Sequence, residues 1–232
     1  MDNGKNGILI TGRWELSMFE LNDNLEIKKE IFFESIIYTI DNFYKHPHDI
    51  KNYLFSEPAP LHKIDETPSN NNVYFEDRRL RIYDVRLKPV VDFLSKLSSQ
   101  KPLMYDISTN QTRFYNDEFN DYKNCIWWPH IDEGYNGIVY FNKNDNECGT
   151  NLYSQITDAD EMTAYNTITE HSAPWRQKEK YEMIKTLEPK FNRLILFDGF
   201  KYPHGMNIVN DRYFSDEYRC NQVFFFKRRR PA

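Results

Sequence analysis

The sequence predicts a mainly β chain of the α+β class, built on an antiparallel sheet sandwich or barrel. Its aromatic content is high, with 17 Phe, 16 Tyr and 4 Trp against only 8 Gly, and aromatic side chains favour strands. Two helical patterns occur in the first hundred residues, and mostly strand patterns follow. The hydrophobic fraction of 40% is sufficient for a core, which excludes a disordered chain.

The length of 232 residues favours one large domain over two small ones. We predict a single domain over 1–232, in which 1–100 supply supporting strands and helices and 101–226 form the core. No apolar run is long enough for a membrane span, and the first residues lack the apolar stretch of a secretory signal. Three scattered cysteines, Cys125, Cys148 and Cys220, favour a reducing, cytoplasmic compartment.

Local patterns in the first half predict two helices among short strands. A helix begins at Pro47, which suits a first helical turn. The clearest helical stripe is Leu87, Val90, Val91, Leu94 and Leu97. Strands are predicted at 7–11, 14–19, 31–40 and 74–83.

The second half is predicted to be mostly strands, at 104–107, 125–128, 137–142, 150–153, 193–198, 205–209 and 218–226. The turn-rich residues 144–149 predict a β-hairpin between two of these strands. The polar segment 156–188 is predicted to be a helical insertion, with a charged helix from Pro174-Trp175 to Leu187. This insertion and a loop at 106–124 are the expected covers of a site.

The residues best suited to chemistry are His130, Asp132 and His204. In extended backbone His130 and Asp132 point to the same face, although an isolated pair of this kind is more often a simple hydrogen-bonded pair. His204 follows a later strand that ends in a turn. Two imidazoles and one carboxylate with open positions opposite suit non-haem Fe(II). The other four histidines, His46, His48, His62 and His171, are interpreted as surface residues.

Arg219 lies at the start of the last predicted strand, where it shares a face with Asn221, Val223 and Phe225. A strand this apolar should be buried, so an inward arginine needs an anionic partner. Its planar fork suits a carboxylate held by two hydrogen bonds. A protein Asp or Glu, or a place at the solvated edge of the strand, is the alternative.

Taken together, His130-Ile131-Asp132, His204 and Arg219 resemble the motif of the 2-oxoglutarate- and Fe(II)-dependent dioxygenase superfamily, in particular its prolyl-4-hydroxylase-like branch. The resemblance covers about 127–226. It implies a double-stranded β-helix (jelly-roll) core with flanking helices. It also implies that His130, Asp132 and His204 are the catalytic iron ligands and that Arg219 binds the distal carboxylate of 2-oxoglutarate. Tyr140 and Asn221 are expected to assist at this co-substrate.

The sequence departs from the family pattern in two places. Residues 148–151 stand where such enzymes often carry Gly-Gly-x-Thr, but Cys148 replaces the first glycine and Asn151 replaces the threonine. The spacing from His204 to Arg219 is also longer than usual, which leaves Arg212 as an alternative anchor. Of Trp127 and Trp128, at most one can face the pocket, because neighbouring residues of a strand point to opposite sides.

The resemblance implies an oxygenase that uses O2 and hydroxylates an amino-acid side chain or small metabolite, with release of succinate and CO2. The nucleic-acid demethylase branch carries a second arginine six residues after the first, where this chain has Phe225. Its net charge of −5 also disfavours nucleic acid, which leaves a small-molecule or peptidyl substrate. Two alternatives remain: a jelly-roll metal-binding or scaffold protein that retains the motif without activity, and a metal enzyme that uses no 2-oxo acid.

Overall fold

Two antiparallel β-sheets enclose an apolar interior, and two helices cover the outer side of the larger sheet. The computed structural model describes residues 18–56, 61–63, 75–81, 85–99, 105–114, 123, 125–127, 129–143, 149–155, 175–210, 212 and 217–227.

The described part of the chain contains thirteen strands and two α-helices. The strands are β1 (Glu26–Phe32), β2 (Ser35–Asp41), β3 (Leu61–Lys63), β4 (Phe75–Arg81), β5 (Tyr105–Phe114), β6 (Cys125–Trp127), β7 (Gly134–Tyr140), β8 (Thr150–Gln155), β9 (Trp175–Gln177), β10 (Tyr181–Leu187), β11 (Leu194–Asp198), β12 (His204–Met206) and β13 (Arg219–Lys227). The helices are α1 (Pro47–Ser56) and α2 (Lys88–Ser98). Short 3-10 turns occupy Val85–Leu87 and Lys178–Lys180.

The larger sheet has eight strands in the order β1-β2-β11-β7-β13-β5-β4-β3, and the smaller has three in the order β10-β8-β12. From β7 onward the chain passes between them: β7 lies in the large sheet, β8 and β10 in the small, β11 in the large, β12 in the small and β13 in the large. Antiparallel strands that alternate between two facing sheets define a jelly roll. The predicted fold, a mainly β jelly-roll core with flanking helices, is confirmed.

Two buried clusters follow from the alternation of side chains along the strands of the large sheet. On the outer face Val139, Leu196 and Phe224 pack against the helices, together with Ile50 of α1 and Leu94 of α2. The inner cluster combines residues of both sheets, namely Ile37, Ile138, Tyr140, Leu152, Leu187, Ile195, Phe197 and Val223. The interior between the sheets is therefore separate from the helix-side core.

Both predicted helices are present. The apolar stripe on α2 is buried at Val90, Val91 and Leu94. Pro89 lies in the first turn of this helix, where proline is tolerated. Ser99 ends the helix in the left-handed conformation. Neither helix in the described ranges has the length and apolar character that a membrane crossing requires.

The single strand predicted at 31–40 is wrong. Residues 26–41 form a hairpin in which β1 pairs with β2, and the turn places Phe33 at φ 48°. A bulky residue is rarely found in this left-handed region, so a phenylalanine at position 33 does not indicate a turn in the sequence.

The hairpin predicted across 144–149 is also wrong, because β7 and β8 belong to different sheets. The chain crosses between the sheets through Gly149. A Cβ at this position would lie 2.4 Å from the carbonyl oxygen of Leu187 and 2.8 Å from Cδ of Pro189. Glycine is therefore required here by a close backbone approach.

The charged helix predicted up to Leu187 is wrong, since its described residues form β9, a 3-10 turn and β10. Strand β10 is an edge strand of the small sheet, and exposed charges such as Glu182 suit a sheet edge. Within the expected loop at 106–124, residues 106–114 instead belong to β5. The strand predicted at 7–11, residues 14–17 of the strand predicted at 14–19, and residues 156–174 of the insertion lie outside the described residues. Residues 18 and 19 form a turn and not a strand.

Candidate metal centre

His130, Asp132 and His204 are brought together by backbone hydrogen bonds at one end of the jelly roll. The segment after β6 forms an antiparallel bridge with β12, in which His130 N–H donates to the His204 carbonyl at 3.0 Å and His204 N–H donates to the His130 carbonyl at 2.8 Å. The N–H of Asp132 donates to the Gly199 carbonyl at 3.0 Å. The positions of all three residues are thus set by main-chain contacts.

Their side-chain donor atoms face one another. One ligand atom from each residue lies within 4.8 Å of the other two. Nε2 of His204 is 3.1 Å from Oδ2 of Asp132, and Nε2 of His130 is 3.9 Å from the same oxygen. His204 is buried, while His130 is about one quarter exposed. Within the described part of the chain, this group is the one cluster of His, Cys, Asp and Glu that could hold a metal ion.

The orientation of His204 leaves a lone pair for an ion. Its Nδ1 lies 3.0 Å from the Tyr202 carbonyl, and because a carbonyl only accepts, Nδ1 carries the donated proton. In a neutral ring Nε2 is then an acceptor. It faces a carboxylate oxygen, which is also an acceptor, so a cation between them, either a proton or a metal ion, resolves the contact. Tyr202 thereby acts as the hydrogen-bonding partner that metal-bound histidines usually have.

The carboxyl of Asp132 is held in its charged form. Burial raises the pKa of Asp132, but when the two imidazoles are protonated, the hydrogen bond from His204 and the charge of His130 together outweigh burial and hold that pKa well below its usual range. An ionised, partly buried carboxylate between two imidazoles is a charge arrangement that suits a divalent cation.

A fourth polar residue, Asn136 of β7, lies against this cluster and was missed by the sequence analysis. Its Nδ2 donates to Oδ2 of Asp132 and lies 3.0 Å from Nε2 of His204. The predicted strand began at residue 137, so the alternation that places Asn136 on the same face as Ile138 and Tyr140 was not applied to it.

The polar residues predicted to hold the co-substrate lie at the other end of the same interior. Tyr140 of β7 pairs with Asn221 of β13, and both are buried. Arg219 is 7% exposed, and its Cζ lies 5.8 Å from the centroid of the Tyr140 ring, a cation–π distance. The hydroxyls of Tyr140 and Thr150 are 2.9 Å apart. Thr150 lies within the unusual 148–151 segment, to which the sequence analysis gave no role.

Of these residues, Tyr140 is suited to binding an anion. Burial raises the pKa of Tyr140, and the charge of Arg219 opposes that rise, so the hydroxyl stays protonated and able to donate. Oδ1 of Asn221 is buried without a hydrogen-bond partner in the described part of the chain. An amide oxygen is an acceptor, so this atom suits a donor such as a guanidinium or hydroxyl rather than an anion, and leaving it unsatisfied costs about 1–3 kcal/mol.

The remaining candidates lie elsewhere. Nε of Arg212 is 2.6 Å from Oε2 of Glu217, in a partly exposed ion pair, so Arg212 is not the buried cation. Trp127 is buried, whereas Trp128 lies outside the described residues. His46 and His48 are exposed, as predicted, and His48 lies against the Phe191 ring at 4.6 Å.

The fold and the cluster define a jelly roll with a candidate mononuclear metal centre between its sheets. No protein-family model matches the chain, and no curated protein matches it. Among solved structures, it is similar to an oxidoreductase of the 2OG-Fe(II) oxygenase family from Burkholderia pseudomallei, with 10% identity, a TM-score of 0.45, and coverage of 80% of this chain and 79% of that one. It is also similar to a prolyl-4-hydroxylase from Pseudomonas putida, with 12% identity, a TM-score of 0.38, and coverage of 79% and 85%.

Proposed function

We propose that this protein is an Fe(II)- and 2-oxoglutarate-dependent oxygenase that hydroxylates an amino-acid side chain or a small metabolite. The observation that carries the proposal is the convergence of His130, Asp132 and His204, whose ligand atoms lie within 4.8 Å of one another. The buried Arg219 at the far end of the same interior supports the choice of 2-oxoglutarate as the co-substrate.

The cluster fits iron in its chemistry. Two imidazoles and one carboxylate are the donor set of mononuclear non-haem Fe(II) oxygenases, in which the remaining positions stay open. The lone pair of His204 already faces Asp132, and His130 is partly exposed on the side away from the core. We propose that these three residues are the ligands.

The far end of the interior fits a carboxylate. Arg219 is buried, and its planar guanidinium suits a carboxylate held by two hydrogen bonds. The hydroxyl of Tyr140 can donate a further hydrogen bond next to it. The side-chain N–H groups of Asn221, which pairs with Tyr140 across the strands, are the other candidate donors. We propose that Arg219 anchors the distal carboxylate of 2-oxoglutarate and that Tyr140 and Asn221 assist.

The residues of this chain contribute binding, orientation and exclusion of water. Tyr202 holds the proton on Nδ1 of His204, which keeps Nε2 available as a ligand. Ile138, Leu152 and Val223 line the interior between the two polar ends and keep it apolar, which excludes competing reactions with water. Bound iron would supply the redox chemistry that couples oxidation of 2-oxoglutarate to succinate and CO2 with hydroxylation of the substrate.

The first prediction concerns the proposed iron ligands. Replacing His130 or Asp132 by Ala removes one of three ligands, and we expect Fe(II)-dependent succinate formation from 2-oxoglutarate to fall to background. Circular dichroism and thermal unfolding should show an intact fold, because both residues lie at the end of the barrel. Undiminished turnover in either variant contradicts the assignment.

The second prediction concerns Arg219. Hydrogen bonds to charged groups are worth about 1.5–3 kcal/mol, so Arg219→Ala should weaken 2-oxoglutarate binding by roughly ten- to a hundredfold. Anaerobic titration with Fe(II) and 2-oxoglutarate measures this through the visible charge-transfer band of the chelate. Arg219→Lys should be intermediate, because a lysine retains the charge but loses the planar fork.

Arg212→Ala is the matched control, since it breaks a partly exposed ion pair away from the site and should leave the affinity unchanged. If Arg219→Ala binds 2-oxoglutarate normally, the protein is a metal enzyme that does not use Arg219 for a 2-oxo acid. If the unmodified protein binds iron but shows no band and consumes no 2-oxoglutarate, a non-catalytic metal-binding protein is favoured.

A further inference from the structure

Asn136 occupies an unusual position beside the proposed metal ligands. It is 2% exposed, and its Nδ2 contacts Oδ2 of Asp132 and Nε2 of His204 at the same time. These are two of the atoms that face the ion position. One N–H of Asn136 is donated to Oδ2 of Asp132. The lone pair of Nε2 would be taken by a bound ion, so the hydrogen bond to Asp132 is the contact that the amide can keep beside a metal.

The opposite end of the amide is not held. Oδ1 of Asn136 is buried and has no hydrogen-bond partner among the described residues. A buried asparagine with a purely structural role normally satisfies both ends of its amide. Among the described residues, the side-chain contacts of this amide are with the two metal-facing residues.

The chain also leaves room for this amide at Gly199. A Cβ at Gly199 would lie 2.8 Å from Nδ2 and 2.9 Å from Cγ of Asn136, which is closer than real Cβ contacts. Gly199 also accepts the backbone hydrogen bond of Asp132. The absence of a side chain at residue 199 thus creates the niche that the amide fills, and the same residue fixes the backbone of Asp132.

We propose that Asn136 is a positioning residue for the metal centre, which orients the carboxylate of Asp132 toward the ion. Its hydrogen bond holds one carboxylate oxygen, so that Asp132 presents the other lone pairs in a fixed direction. This inference rests on the proposed metal centre, and it adds a residue that acts through Asp132 and does not itself bind iron. Outer hydrogen-bonding partners of this kind typically contribute ten- to a hundredfold to metal affinity.

The test uses Co(II), whose visible absorption reports ligand geometry without turnover. Asn136→Leu retains the volume and Asn136→Ser retains a shorter donor. We expect Asn136→Leu to bind Co(II) at least about tenfold more weakly than the unmodified chain, with altered visible bands, and Asn136→Ser to recover part of the loss. Gly199→Ala should shift the bands in the same direction, because it displaces the amide while Asn136 remains in the sequence.

Asn151→Leu is the matched control. Asn151 is another buried asparagine, whose amide bonds to Asn207 and Thr186 on the outer side of β8. The Asn151→Leu substitution should lower thermal stability without changing the Co(II) affinity or the visible spectrum. Wild-type affinity and an unchanged spectrum in Asn136→Leu and Gly199→Ala would overturn the proposal. If the unmodified chain binds neither Co(II) nor Fe(II), the proposed metal centre itself fails, which is a distinct result.

Discussion

Two buried tyrosines contact opposite faces of the large sheet, and we expect one to affect ligand binding and the other to affect stability. The hydroxyl of Tyr140 lies in the interior, 2.9 Å from that of Thr150 and next to Arg219. The hydroxyl of Tyr44 lies on the helix side and donates to Oε1 of Gln222 at 2.6 Å. Gln222 directly follows Asn221 on β13, so the two tyrosines contact opposite faces of one strand.

We predict that Tyr140→Phe weakens 2-oxoglutarate binding by roughly tenfold or more, because a hydrogen bond from the hydroxyl to a charged carboxylate, worth about 1.5–3 kcal/mol, is lost. The measurement is the dissociation constant of 2-oxoglutarate with Fe(II) bound, under anaerobic conditions. Burial raises the pKa of Tyr140, so the hydroxyl is neutral throughout the working range and the effect should not depend on pH between about 6 and 8.

Tyr44→Phe is the control at the opposite face. Nε2 of Gln222 already lacks a partner in the described part of the chain, and loss of the tyrosine hydroxyl would leave Oε1 without one as well. The free energy of unfolding should fall by about 1–3 kcal/mol, with unchanged affinity for 2-oxoglutarate. Equal shifts in affinity for both variants would show that Tyr140 acts only through packing.

At the level of elements, the sequence predicted those features that are expressed in short-range patterns. The apolar stripe on α2 and the alternating pattern along β7 and β13 arise because these elements bury one or both of their faces. The spacing of apolar residues in the sequence therefore predicts them. His130 and Asp132 are two residues apart, so their common orientation follows from backbone geometry alone. Arg219 was placed inside by the same alternation, and the structure finds it buried.

Contacts between distant segments were not predictable in this way. Turn residues at 144–149 show that the chain changes direction, but they do not show whether it returns to the same sheet or crosses to the other one. Gly149 is required by the carbonyl of Leu187, a residue far along the chain. Similarly, β10 is a strand because it pairs with β8, and tertiary pairing overrides the weak helical preference of its charged residues.

A small error at one strand boundary hid a residue of the site. Strand β7 begins at Gly134, and a predicted start at residue 137 left Asn136 outside the alternation. Element boundaries are the least certain part of any sequence-based prediction. A search for polar residues on the inward face of β7 would have found Asn136 once the strand was extended toward Asp132.

For the molecule as a whole, the large sheet separates two tasks. Its outer face packs on α1 and α2 through apolar residues such as Val139 and Leu196, while its inner face is apolar at the middle and polar toward both ends. The helix-side core supplies stability independently of the residues that face the interior. Substitutions at the proposed metal ligands should therefore leave the fold in place.

An ion-pair group at the end of β2 links this sheet to the turn before β11. Arg193 binds Asp41 through Nε at 2.6 Å and Nη2 at 3.0 Å, and Nζ of Lys190 lies 3.0 Å from the same carboxylate. The side chains of Asp41 and Arg193 are mostly buried. The hydrogen bond from Arg193 holds the pKa of Asp41 below its usual range, although burial opposes this.

We predict that this group makes global stability depend on pH in acid. A carboxyl whose pKa is lower in the folded chain contributes fully above the unfolded value of about 4, and its contribution disappears as the pH falls through the folded value. Asp41→Asn should therefore reduce the free energy of urea unfolding by about 1–3 kcal/mol at pH 7, with a difference that shrinks below pH 4. Glu20→Gln, which removes an exposed pair with Lys45, should leave the free energy of unfolding nearly unchanged. A difference for Asp41→Asn that stays constant down to pH 3 would show that the loss arises from packing and not from the ionised carboxylate.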